Sequence, residues 1–90
     1  MSPRITINMS ADGELEIWLN EQGRDLLVRE LRAMSEKSDH FHLATIDGAE
    51  IKLNDRAYRP TDKIMHSTKV YFRPDDWDRR HFPRVIDGET

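Results

Sequence analysis

The sequence predicts an α+β domain: a mostly antiparallel sheet of about five strands in the order ββαβββ, with one long helix packed on one face. Three observations predict it. Apolar residues alternate with a period of two through "RITINMS" and "ELEIWLN". The period lengthens to that of a helix between Glu21 and Glu36. Alternation then resumes in "HFHLAT", "AEIKL" and "KIMHSTKVYFR".

In the first strand Ile5, Ile7 and Met9 share one face and Arg4, Thr6 and Asn8 the other. "ADG" supplies a tight turn into Glu14–Leu19, completing an antiparallel hairpin. Leu15, Ile17 and Leu19 are expected to point inward, with Glu14, Glu16 and Trp18 outward. Asn20 suits a helix N-cap, and Glu21 sits at the positive end of the helix dipole. Gly23, Leu27, Leu31 and Met34 form the apolar stripe, which Leu26 and Val28 widen. Asp25 and Arg29 can pair one turn apart on the wet face. A glycine in this helix costs up to about 1 kcal/mol against alanine. A close approach of helix to sheet would account for Gly23.

Phe41, Leu43 and Thr45 share one face of the next strand, and His40, His42 and Ala44 the other. Asp47-Gly48 turns the chain into a short returning strand with Ile51 and Leu53. "NDRAYRPTD" is a polar loop. The last long strand places Ile64, His66, Thr68, Val70 and Phe72 on one face and Met65, Ser67, Lys69 and Tyr71 on the other, until Pro74 breaks it. "DDWDRRHF" is expected to make one helical turn capped by Asp75; residues 1–3 and 85–90 are expected to fray. A lone helix covers one side of a sheet. The other side, with Trp18, His40 and His42, is then wet or covered by a partner.

Ninety residues make one domain with one modest core. The balance of 14 basic against 17 acidic residues does not favour non-specific nucleic-acid binding. The absence of cysteine excludes disulfides and Cys-ligated zinc. "MSPRITINMS" has no apolar core of signal-peptide length, and no apolar run approaches the roughly 20 residues of a membrane span. A soluble cytoplasmic protein with no nucleic-acid or membrane partner is expected.

His40 and His42, two apart on a strand, project from one face and suit a divalent metal if a third ligand such as His66 joins them. The alternative is a polar, solvent-facing strand. Asp62, His66 and Ser67 do not make a nucleophilic triad, because adjacent strand residues point to opposite faces and no Gly-rich elbow surrounds Ser67. Glu14 and Glu16 share a strand face without a desolvating neighbourhood. Arg79, Arg80 and Arg84 alternate with Trp77, His81 and Phe82, as in single-strand nucleic-acid binders, yet Asp75, Asp76 and Asp78 are interleaved. Trp77 and Phe82 then read as a seal on the core or sheet edge. No enzymatic activity and no cofactor are expected.

"HFHLAT" at His40–Thr45 and "KVYFRP" at Lys69–Pro74 resemble the bacterial immunity protein 32 family, small α+β proteins predicted to neutralise toxins of polymorphic toxin systems. Where that family carries a Trp-Gly-Gly-like turn after the histidine strand, this chain has "IDGAE". The resemblance implies a non-enzymatic protein that binds a cognate toxin and occludes it. The expected contact surface is Trp18, His40, His42, Lys69 and Tyr71. A small metal-binding protein using His40 and His42, and a homodimer that covers its own wet face, are the alternatives.

Overall fold

The computed structural model describes residues 2–88. It is an α+β fold of two small three-stranded sheets with short helices. The first sheet is ordered β2-β1-β5, from β1 (Ile5–Met9), β2 (Leu15–Leu19) and β5 (Lys63–Ile64). The second is ordered β4-β3-β6, from β3 (His40–Ala44), β4 (Ile51–Lys52) and β6 (Ser67–Tyr71). Helix α1 (Glu21–Arg32) follows the hairpin, and α2 (Asp75–His81) and α3 (Pro83–Asp87) close the chain. This corrects the expected single five-stranded sheet with one long helix.

The hairpin forms as its sequence dictates. Ile7 faces Ile17 and Ile5 faces Leu19 across antiparallel strands. Gly13 closes the turn at φ 85°, the left-handed conformation that glycine adopts without a Cβ penalty. The Asn20 side chain accepts from Gly23 N at 2.7 Å and from Arg4 N at 2.8 Å, so one amide caps the helix and ties it to β1. Gly23 is buried there. A Cβ at this position would lie 2.4 Å from the Arg4 carbonyl oxygen and 2.9 Å from Ile5 Cγ1. The close approach is real and explains a glycine inside a helix. The helix ends at Arg32, not Glu36, because the next residues make a serine turn: Ser35 Oγ accepts from Lys37 N and Ser38 N.

Two stretches depart further. The segment "KIMHSTKVYFR" is not one strand. Met65 and Val70 have opposite parity, yet both pack on the core, which a straight strand forbids. The chain bends at Met65-His66 and changes sheets, with Met65 N bonded to Ile7 O and His66 O to Thr45 N. The strand after Asp47-Gly48 runs parallel to β3, not back along it as a hairpin. The Glu50 carboxylate accepts from His42 N at 2.6 Å, filling the place of a strand carbonyl, and the chain turns again before Ile51.

Ile5, Ile7, Phe41, Leu43, Ile51 and Leu53 form the core, with Leu26, Leu27, Met34, Met65 and Val70 packed around it. Leu15, Ile17 and Leu19 were expected inside and are exposed. They share the face of Ile5 and Ile7 by register, but β2 is the sheet's edge, and the core gathers on β1 and the second sheet instead. Conversely, Thr6 and Asn8, expected on a wet face, are fully buried. Residues 54–62 cover them: Asn54 Nδ2 donates to Thr6 Oγ1 at 2.9 Å, and Tyr58 stacks on Trp18 at 4.1 Å. Near the C-terminus α2 begins after Pro74 with no side-chain cap from Asp75, and 85–87, expected to fray, are helical as part of α3. The expected fraying of Met1, Glu89 and Thr90 lies outside the described residues.

Candidate functional site

The outer face of the second sheet gathers most of the residues singled out above. Pairing of β3 with β6 sets His40 opposite Tyr71 and His42 opposite Lys69. Directly opposed residues of an antiparallel pair share a face, so these side chains stand together. Phe41 and Leu43, of the other parity, are core residues. The two imidazoles therefore point away from the core, as the alternation predicts. Their rings meet edge to face at 5.3 Å, and His40 lies 6.2 Å from the Tyr71 ring. His40 also borders a shallow hollow with Glu30, Ala33 and Met34 at the end of α1.

Tyr71 is the centre of this face. Lys69 Nζ and the Arg73 guanidinium each lie 4.7 Å from its ring centroid. Arg73 reaches on to Trp77 at 4.4 Å and is anchored by Asp39 at 3.0 Å. A groove lined by Tyr71, Arg73, Trp77, Asp78 and Phe82 continues the face onto α2. Helix α2 thus extends the surface with a cation sandwiched between two rings. The sequence suggests a seal at Trp77 and Phe82; the cation at Arg73, four residues before Trp77, is the signal that joins Trp77 to Tyr71.

Each histidine has an acidic neighbour. His40 Nδ1 lies 2.8 Å from Asp39 Oδ1 and His42 Nδ1 3.3 Å from Glu50 Oε1. The hydrogen bond with His40 holds the Asp39 carboxyl below its ordinary value, and the Arg73 charge adds to this. The His42 backbone N–H does the same for Glu50. A carboxyl depressed in the folded state contributes stability that is complete above its unfolded value and lost as the pH falls through its folded value. Acidification below about pH 4 should therefore loosen this face. In Glu50→Gln, the urea midpoint should fall less than in the parent between about pH 5 and pH 3. Equal slopes would contradict the assignment.

The remaining candidates do not join this face. Trp18 is half-buried in the first sheet, stacked on Tyr58, its Nε1 donating to Asn8 Oδ1 at 2.6 Å. It belongs to the seam between β2 and the 54–62 loop. His66 lies at the bend between sheets, its Nδ1 3.0 Å from Thr45 Oγ1. It is not brought to the His40–His42 pair. Among the described residues no three His, Cys, Asp or Glu side chains are grouped to hold a metal ion.

Compared with protein-family models, curated proteins and solved structures, the chain gives no match. Among the described residues no helix is long and apolar enough to cross a membrane.

Proposed function

We propose that this protein acts by binding another protein, without chemistry of its own, through the face formed by His40, His42, Lys69 and Tyr71 and extended by Arg73 and Trp77. The observation that carries the reading is Tyr71: it is 53% exposed yet held by cations on β6 and just beyond it. A pre-positioned aromatic with arginine beside it has the composition of a binding hot spot. Little conformational entropy remains to be lost when a partner covers it. Trp18 is left out of this surface, because its ring is already occupied by Tyr58.

The occupant is a cognate bacterial toxin whose active site the domain covers in the cytoplasm. The likeness of "HFHLAT" and "KVYFRP" to immunity proteins supports this, and His40–Ala44 of the first and Lys69–Tyr71 of the second lie on the strands that build the face. Lys69 and Arg73 suit an acidic patch on that partner. Co-expression with a toxin domain encoded beside this chain should restore growth of the host cell. Tyr71→Ala should weaken the purified complex at least about ten-fold in Kd, the loss expected for a hot-spot aromatic. No protection, or protection with unaltered affinity in Tyr71→Ala at unchanged circular dichroism, would overturn the reading.

A further inference from the structure

The exposed apolar side of β2 has no role in the face just described. Leu15 and Ile17 are each 56% exposed and Leu19 41%, although all three are large and aliphatic. They are consecutive on one face of an edge strand. Asn20 N donates to Arg4 O, and Ser10 N to Glu14 O, so the even-numbered residues of the strand bond to β1. By alternation the N–H and C=O groups of Leu15, Ile17 and Leu19 point outward, away from β1. Monomeric proteins protect such an edge with lysine, proline or inward-pointing charge. β2 carries no lysine and no proline, and its one charge, Glu16, lies on the opposite face, paired with Arg59.

Helix α1 adds a matching flank. Arg24 borders a hollow with Leu19, which fixes the side of the helix nearest β2. Val28 and Leu31 lie on that side at 100° per residue, and both are exposed. With the three strand residues they present roughly 450 Å² of apolar surface, the size of the largest patch on a monomer, which is often functional. Glu21 and Arg32 lie at opposite ends of the helix, about three turns apart on its outward side.

We infer that this side is occupied by a second copy of the chain, pairing β2 with β2 antiparallel about a two-fold axis at Ile17. The pattern Leu-Glu-Ile-Trp-Leu is self-complementary for that operation. Ile17 meets its own copy, and Leu15 meets Leu19 of the second copy. All six aliphatic side chains fall on one face, between the flanks of two antiparallel α1 helices. The same axis brings Glu21 of one helix towards Arg32 of the other, matching charge and helix dipole. The outward backbone groups find partners, and a six-stranded sheet results. Backbone edge, side chains and helix flank together bury an area at the small end of specific interfaces, the range of pairs that assemble with concentration. The Tyr71 face is not consumed.

Sedimentation across a concentration series should give a species of twice the 10.6 kDa chain mass. Ile17→Lys sets two like charges on the axis and should leave a monomer with unchanged circular dichroism, whereas Tyr71→Ala should remain dimeric. Since the chain lacks cysteine, Ile17→Cys gives an independent reading: a short bis-maleimide, which spans the wider spacing of a hydrogen-bonded pair, should crosslink it to a covalent dimer. A parent protein monomeric at every concentration, a dimer that survives Ile17→Lys, or an Ile17→Cys protein that stays uncrosslinked would overturn the proposal.

Discussion

Gly23→Ala should lower the stability of the domain by about 2–3 kcal/mol, although alanine is the better helix former by about 1 kcal/mol. The contacts decide the sign. An added methyl carbon at 2.4 Å from the Arg4 carbonyl oxygen cannot be accommodated by rotating a side chain, because the obstacle is backbone. Either β1 or the first turn of α1 must move. That movement strains the Asn20 cap, whose oxygen lies 3.0 Å from the same position. It also pushes on Ile5, a core residue. Overpacking of this kind costs about 1–3 kcal/mol and occasionally more. For a domain of this size the Tm should fall by about 10–20 °C. An unchanged or raised Tm would mean that helix propensity outweighs the contact, and that α1 does not lie this close to β1.

Asn8→Ala should cost about 3 kcal/mol, by a different route. Asn8 is fully buried on the side of β1 away from the core. Its Oδ1 accepts from Trp18 Nε1 at 2.6 Å and its Nδ2 donates to Glu16 Oε1 at 3.0 Å. Glu16 in turn holds Arg59, which is paired with Asp62. Removing the amide leaves the indole N–H without its acceptor and the Glu16 carboxylate with Arg59 but without its Asn8 donor, under the 54–62 loop. Each such group costs about 1–3 kcal/mol when buried. The loop should loosen with it, exposing Trp18. In a Trp77→Phe background, the emission of Trp18 should shift to the red and quench more readily with acrylamide. Asn8→Asp should behave similarly, since it loses the donor and faces Glu16 with a like charge. A variant as stable as the parent, with unmoved emission, would show that Asn8 is not the hub of this layer.

Both predictions fall on residues whose types are odd for their places: a glycine inside a helix and an asparagine inside a sheet. The first oddity is visible in the sequence, and close approach to the sheet is its expected explanation. The second is not, because Asn8 on an alternating strand looks like a solvent-facing residue. Its burial depends on Tyr58 and Arg59, which lie in a polar loop with no periodicity to assign it a face. The candidate surface divides in the same way. His40, His42, Lys69 and Tyr71 share a face because β3 and β6 pair, and strand alternation alone orients each of them. Arg73 and Trp77 join them through α2. Trp18 has the parity of an outward residue, yet in three dimensions it belongs elsewhere.

The sequence by itself determined what depends on neighbours within a turn or two residues. The Arg4–Leu19 hairpin, the Asn20 cap, the start of α1 and the orientation of the histidines opposite Phe41 and Leu43 are of this kind, since local backbone geometry decides them. Only the tertiary structure decided which strands share a sheet, where the last strand bends, and which side of each strand is covered. Those outcomes rest on contacts between residues far apart in the chain, such as Asn54 with Thr6 and Met65 with Ile7. Alternation gives a strand two faces; only the packing of distant segments makes one of them the inside.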